Sequence, residues 1–166
     1  SCEAEKISPG DIAVILAEMK AQYVAQSRTN ALVIGSDQIL VCDGRIFGKS
    51  STRQEAFETL HFLQGKSHQL FTSVVIFKFG QRIWHHNAIS TLVIRPLSVL
   101  EINDYLDILG DEAFQTPGCY QIESIGAHLF TAMSGTYYDI LGLPLLPLLA
   151  FLREHGLTSH GDEVSK

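Results

Sequence analysis

The segment Ala31–Asp37, which reads Ala-Leu-Val-Ile-Gly-Ser-Asp, decides how the rest of the sequence is interpreted. A continuous apolar run of this length is typical of a buried β-strand. The run stops at Gly-Ser-Asp, so we expect Asp37 at the end of the strand, at the edge of the core. Lys49 follows twelve residues later, directly after Gly48. An acid and a lysine at the ends of such elements are suited to holding a metal-bound phosphate.

The composition indicates one globular domain and argues against one class of partner. The chain has 166 residues, of which 46% are hydrophobic, so it can bury a sizeable core. Its net charge of −6 argues against a broad nucleic-acid surface, which needs clustered Lys and Arg. A single nucleotide needs only one or two local cations. We therefore expect no nucleic-acid polymer as a partner, while a nucleotide stays open.

The cysteines and histidines favour neither a disulfide framework nor a structural zinc site. Cys2, Cys42 and Cys119 are scattered and form no C-x-x-C pair, which is typical of reduced thiols. His85 and His86 are neighbours in a predicted strand, where adjacent side chains point to opposite faces. The pair is therefore poorly placed to share one metal ion.

The most apolar segment of the chain, Ile140–Leu152, is too short to span a bilayer and contains Pro144 and Pro147. We recognise no secretory signal in the sequence. Both observations favour a cytoplasmic protein without a membrane partner.

Four helices are predicted from apolar spacing and capping residues. They run over Asp11–Gln26, from Ser51-Thr52 to about Leu63, from Ser98 to about Leu109, and from Pro144 to His155. In the first helix the apolar residues at helical spacing are Ile12, Ile15, Leu16, Met19 and Tyr23. Thr52 and Glu55 resemble a capping box, and Gly65 and Gly110 end two of the helices.

The predicted strands lie between these helices. Asp43-Gly44 separates Ile39–Val41 from Ile46–Phe47, which predicts a tight hairpin. Leu70–Phe79 and Ile83–Ile94 predict a longer antiparallel hairpin, joined at Gly80-Gln81. Because helices interleave with hairpins, we expect the α/β or α+β class with a mixed sheet.

Each residue of the first group of candidates has an ordinary alternative role. Asp37 is suited to bind a metal ion or to activate water as a base, but an Asp after Ser also commonly caps a turn. Lys49 is suited to neutralise phosphate oxygens, and the alternative is a solvated loop lysine. Lys20 on the first helix has the same two interpretations.

The second group lies farther along the chain. Gly65–His68 is suited to a phosphate-facing loop, although it lacks the spacing of a P-loop and is also a plain helix-to-strand connection. Glu123 is a candidate second metal carboxylate, and Tyr120 a candidate for packing on a base. The alternative is a strand with an exposed Glu. Taken singly, these features leave an enzyme and a binding module equally open.

Read together, the segments resemble the Maf family of nucleoside triphosphate pyrophosphatases. The matching residues occur in family order over roughly residues 7–157 and are specific as a set. They are Leu16-Ala17, Lys20-Ala21, Val33–Gln38, Gly44 to Lys49, Glu55-Ala56, Leu60, Leu63, Gly65-Lys66, His68, Gly118, Tyr120, Ile122-Glu123, Gly135, Tyr137 and Ile140–Leu145.

The resemblance implies a fold and an activity. The fold is a single domain over residues 1–166, with an elongated mixed sheet flanked by helices as in inosine triphosphate pyrophosphatases, and two lobes around a cleft. The activity is hydrolysis of a non-modified or methylated nucleoside triphosphate to the monophosphate and pyrophosphate with Mg²⁺ or Mn²⁺.

The resemblance also implies roles for individual residues. Asp37 matches the acid that activates water or holds the metal, and Glu123 matches a second position of the site. The phosphate-binding lysines would be Lys20, Lys49 and Lys66. Further candidate site residues are Gln38, His68, Thr72 and Tyr120.

The sequence departs from the family pattern in three ways. Family members begin with a strand and a Ser-x-x-Arg motif, which has no counterpart before Ile7, and Glu3 or Glu5 are the counterparts of a further acid. In the family pattern Pro usually follows the lysine at position 49, but here Ser50 follows it. Lys66 stands where the family more commonly has Arg. A missing first strand would leave an open sheet edge, so we expect the natural protein to continue upstream.

Three hypotheses follow. The first is a metal-dependent pyrophosphatase in which Asp37 and Glu123 position metal and water while Lys20 and Lys49 offset phosphate charge. The second is a catalytically impaired protein that keeps the fold and binds a cell-division-related or regulatory partner. The third, compatible with both, is a homodimer that pairs through apolar Leu141–Leu149.

Overall fold

A computed structural model of the protein describes residues 7–157. The elements in chain order are α1 (Pro9–Ala25), β1 (Val33–Cys42), β2 (Arg45–Phe47), α2 (Arg53–Leu63), β3 (Ser67–Lys78), β4 (Gln81–Ile94), α3 (Val99–Leu109), two 3-10 helices (Gly110–Phe114 and Ile125–Leu129), β5 (Phe130–Ser134), α4 (Tyr137–Leu141) and α5 (Leu145–Glu154). No helix of the described range has the length and apolar character needed to cross a membrane.

The strands form one sheet in the order β2-β1-β3-β4-β5. The α/β (α+β) class and the flanking helices are confirmed. The predicted mixture of strand directions is not seen, since all four described pairings are antiparallel. The reason is that two pairings are hairpins, and the connection through α2 returns the chain antiparallel to β1.

Strand β1 is longer than the apolar run that predicts it. Asp37 pairs with Ser73 of β3, and the strand continues to Cys42. The expectation that Asp37 ends the strand is therefore wrong, because the Gly-Ser-Asp-Gln segment keeps its backbone pairing with β3 despite its polar side chains. The predicted hairpin after it is confirmed, with Asp43 at φ 49° and Gly44 at φ 74°.

Helix α1 covers one face of the sheet with small side chains. Its buried residues are Ala13, Ala17, Ala21 and Ala25. Gly35 of β1 lies beneath them, and a Cβ there would sit 2.4 Å from the carbonyl oxygen of Ala17. The apolar stripe that predicts this helix lies largely outside the core, and Tyr23 is 79% exposed. The helix is confirmed, but its buried face is a different one, since only alanines allow so close an approach.

The opposite face of the sheet carries the largest hydrophobic cluster. Leu40 and Leu70 of the sheet pack there against α2 and α3 through Leu60 and Ile102. Thr52 and Ser98 cap these two helices by accepting hydrogen bonds from backbone N–H groups, as predicted from their spacing. Helix α5 packs on the same face through a smaller cluster around Ile76. Helix α4 was not predicted.

The contact at Gly35 gives a prediction about stability. Gly35→Ala should lower the free energy of unfolding by about 1–3 kcal/mol, because the added methyl group meets the backbone of α1. Gly48→Ala is the matched control, since a Cβ at Gly48 has open space around it and should change stability by less than about 0.5 kcal/mol. Urea denaturation of both variants measures this. Equal stabilities would show that α1 does not pack this closely on β1.

Candidate functional site

Asp37 lies on the α1 face of the sheet and pairs with Lys20. Its Oδ2 is 3.0 Å from Lys20 Nζ, and its Oδ1 accepts a hydrogen bond of 2.8 Å from the backbone N–H of Gln38. The side chain of Asp37 is 16% exposed, whereas that of Lys20 is 60% exposed. The carboxylate is therefore held in place from two directions, while the ammonium group stays accessible to a charged ligand.

The neighbours of Asp37 in β1 point to the other face and hold α4. The Ser36 hydroxyl lies 2.6 Å from the carbonyl oxygen of Gly142. Gln38 Nε2 donates to the carbonyl oxygen of Ile140 and to Thr72 Oγ1, both at 3.0 Å. Gln38 and Thr72, both candidate site residues, thus satisfy backbone carbonyls at the end of α4.

A cavity of about 50 Å³ lies on this second face. Gln38, Tyr120 and Glu123 line it, together with Gly118 and Leu141. Since adjacent residues of a strand point to opposite faces, the Asp37 side chain leaves β1 on the side away from Gln38. The candidate residues therefore form two groups, one on each side of β1, with Asp37 and Glu123 in different groups.

Lys49 comes shortly after β2, the strand that pairs with the end of β1. It follows Phe47, the last residue of β2, by two positions, and Phe47 pairs with Leu40. Continuing that register leads Lys49 toward Gln38. The next residue, Ser50, is buried, and its Oγ is 3.2 Å from Cys119 Sγ. The residue that follows Lys49 therefore makes a specific polar contact with the segment before Tyr120.

His68 and Tyr120 form a buried polar pair. His68 Nε2 lies 2.8 Å from the Tyr120 hydroxyl, and burial lowers the pKa of His68 to about 4. Burial also raises the pKa of Tyr120. The Tyr120 ring is 6% exposed and packs edge-on against Phe130. This places the ring in the core, where it supports the cavity wall, and not on an exposed surface for a base.

Lys66 lies apart from the other candidates. Its Nζ is 3.2 Å from Asp43 and 3.7 Å from the centre of the Phe62 ring. Asp43 is in the hairpin turn, six residues after Asp37. At the rise per residue of an extended strand, this separation is about 20 Å. The structure therefore brings Lys20 to Asp37 but does not bring Lys66 there.

The described residues form no preformed cage for the implied divalent cation. Within residues 7–157, no group of three or more His, Cys, Asp or Glu side chains could hold a metal ion. Glu3, Glu5 and Cys2 lie outside the described residues. Mg²⁺ in nucleotide enzymes is commonly bound by one or two carboxylates together with substrate phosphates, so Asp37 fits such a role without a preformed cage.

The comparisons with known proteins identify the family. The family model described as Maf-like protein matches residues 2–155. This chain belongs to the Maf family. The resemblance inferred from the ordered motifs is thereby confirmed, although no single motif was diagnostic.

Curated relatives of this Maf family member are bacterial enzymes. The nucleoside triphosphate pyrophosphatase of Nitrobacter hamburgensis is 45% identical over 152 residues, which cover 92% of this chain and 75% of the relative. That of Rhodopseudomonas palustris is 44% identical, with 93% and 77% covered. The 7-methyl-GTP pyrophosphatase of Bartonella quintana is 41% identical, with 92% and 78% covered.

The contacts that join α4 to the site were not predicted from the sequence. Thr136 caps this helix by accepting a hydrogen bond from the N–H of Asp139, so the Thr-x-x-Asp spacing was the available signal. Ser36 is part of the Val33–Gln38 motif, and its hydroxyl donates a hydrogen bond to the carbonyl oxygen of Gly142, the residue after this helix. The sequence contains no local signal for this contact, because the two residues lie 106 positions apart.

The buried histidine of the Maf fold predicts a pH dependence of stability. Between about pH 6.5 and pH 4 the unfolded chain binds a proton at His68 that the folded protein does not, so the free energy of unfolding should fall as the pH falls. The loss attributable to His68 should approach about 3 kcal/mol. Denaturant unfolding of the wild type and of His68→Gln at several pH values isolates the contribution of His68 to the change in unfolding free energy.

The matched control is the exposed histidine of β4. His85→Gln should retain the wild-type slope of stability against pH. A His68→Gln variant with an unchanged slope would contradict the neutral, buried state of this side chain.

Proposed function

We propose that this Maf family member hydrolyses nucleoside triphosphates to nucleoside monophosphate and pyrophosphate. The observation that carries the proposal is the contact of 3.0 Å between Asp37 and Lys20, a fixed carboxylate beside an accessible cation. The printed names of the relatives support the same activity. They do not favour the alternative of a non-catalytic interaction protein. Specificity among bases stays open, and one relative is named for 7-methyl-GTP.

The proposed chemistry joins water to the α-phosphorus. The water oxygen forms the new bond, the bond from the α-phosphorus to the bridging oxygen breaks, and pyrophosphate leaves with that oxygen. Asp37 takes the proton from the attacking water as a general base. Its position is suited to this role because two hydrogen-bonding partners orient the carboxylate.

Lys20 and Lys49 offset the charge of the triphosphate. In the absence of substrate, Lys20 pairs with Asp37, and a bound phosphate would compete for this exposed ammonium group. The register of β2, continued by two residues beyond Phe47, leads Lys49 toward Gln38. Along residues 33–39 only one edge of β1 pairs with a described strand. A polyphosphate along the other edge would reach both lysines.

The remaining parts of the proposal concern the cofactor and the assembly. Asp37 would hold Mg²⁺ or Mn²⁺, which would neutralise phosphate charge and polarise the attacked phosphorus. Glu123 lies in the other group of residues and would reach the same ion only around the edge of β1 that pairs with no described strand along residues 33–39. Lys66 would contribute only by leaving its contact with Asp43. We also propose a homodimer in the cytoplasm, for which the exposed Leu141 and Leu146 provide an apolar surface.

The role of Asp37 predicts a large loss of activity on removing its charge. Asp37→Asn should lower kcat for pyrophosphate release by at least about 100-fold, because the amide cannot accept a proton. The control is Asp43→Asn, which makes the same chemical change in the hairpin turn of the same sheet and should stay within about twofold. The assay uses the full-length natural protein, a panel of nucleotides, and Mg²⁺ or Mn²⁺. Equal rates for wild type and Asp37→Asn would refute the role.

The role of Lys20 predicts a different kinetic change. Lys20→Met should raise KM about tenfold, because a charge-assisted contact to phosphate is lost in the ground state as well as in the transition state. Lys78→Met, at the far end of β3, removes one half-buried lysine and should leave KM unchanged. Steady-state kinetics with the best substrate of the panel measures the KM values of both variants and of the wild type. An unaltered KM in Lys20→Met would argue that phosphate binds elsewhere.

A further inference from the structure

One side-chain hydrogen bond joins two segments that carry proposed site residues. Ser50 Oγ lies 3.2 Å from Cys119 Sγ, and both residues are buried, at 7% and 0% exposure. Within the described part of the chain, this is the only hydrogen bond between residues 48–52 and residues 115–124. The two segments are thus tied at one point although they lie 69 positions apart.

Each end of this contact lies next to the site. Ser50 directly follows Lys49, so movement of Ser50 is transmitted to the lysine through one peptide bond. Cys119 directly precedes Tyr120, which lines the cavity with Glu123. The Thr116 hydroxyl bonds both the N–H and the carbonyl oxygen of Tyr120, so the segment behaves as a closed turn. Displacement of Cys119 would therefore move Tyr120, and Glu123 follows in the adjoining turn, which the hydrogen bond from the Ser124 N–H to the Gln121 carbonyl oxygen closes.

The backbone at Cys119 indicates that its side chain is needed. Its φ angle of 58° lies in the left-handed region, where glycine is the favoured residue. A cysteine is nevertheless present, and its sulfur meets the Ser50 hydroxyl. Burial raises the pKa of the thiol, so it is protonated and unreactive at neutral pH. A packing and hydrogen-bonding role for Cys119 fits both observations.

We propose that Ser50 and Cys119 are positioning residues, whose hydrogen bond sets the separation between Lys49 and the turn that carries Glu123. The inference rests on the proposed function for its effect on turnover, but the mechanical link itself does not. The link requires the Ser50 hydroxyl, since a side chain without a polar atom at position 50 would leave the Cys119 thiol without this partner. Catalysis depends on such separations, because small misplacements of binding groups reduce rates strongly.

The experiment combines kinetics with hydrogen exchange in the full-length protein. Ser50→Ala and Cys119→Ala should each lower kcat/KM about tenfold, and the double variant should be no worse than either, since both remove the same contact. Cys119→Ser keeps a hydroxyl partner for Ser50 and should restore most of the activity. Cys42→Ala removes the other described buried thiol, away from the link, and should leave kcat/KM unchanged.

Hydrogen exchange tests the link without reference to turnover. Ser50→Ala should raise amide exchange in residues 115–124 as well as in residues 48–52, whereas Cys42→Ala should not. Unchanged protection of residues 115–124 in Ser50→Ala overturns the proposal, as does a kcat/KM within twofold of wild type. If the wild-type protein releases no pyrophosphate, the proposed function fails, and the exchange data alone decide the link.

Discussion

The alternation of side chains along β1 is the constraint on which the rest of the site depends. In Ser36-Asp37-Gln38 the central carboxylate faces α1 and Lys20, while its two neighbours face α4. A strand offers no other arrangement, since successive side chains leave it on opposite sides. One short segment therefore supplies a reactive group on one face and structural anchors on the other. A shift of register by one residue would turn the Asp37 carboxylate toward α4 and its two neighbours toward α1, so the site and the anchors would both be lost.

The anchors matter because α4 cannot be stable alone. It has five residues, far fewer than an isolated helix needs in water, so tertiary contacts must hold it. Gln38 and Thr72 provide them by donating to the carbonyl oxygens of Ile140 and Asp139. The Asp139 carbonyl oxygen also accepts from the Gly142 N–H, whereas among the described residues the Ile140 carbonyl oxygen accepts a hydrogen bond only from Gln38. Since Ile140 and Leu141 also line the cavity, the same hydrogen bonds connect the sheet to the shape of the proposed binding site.

Local signals in the chain predicted most of the elements, and long-range contacts explain the differences. The caps at Thr52 and Ser98 and the turn at Asp43-Gly44 involve partners within four residues, so their chemistry is readable without a fold. Lys20 and Asp37 were each expected in the site from family motifs, and the packing of α1 on β1 brings them into contact. The position of Lys66 was not foreseeable, because its partner Asp43 is also a common turn residue.

The sequence by itself determined the family, the helices with strong caps, the hairpins and the identity of the acid in β1. Tertiary structure alone decided which face of α1 is buried, since the close approach at Gly35 selects alanines over the larger apolar side chains. It also decided that Ser50 meets Cys119 and that Asp37 and Glu123 lie on different sides of β1. The physical reason is that spacing along a chain encodes contacts over a few residues, whereas packing joins groups whose separation in sequence carries no periodic signal.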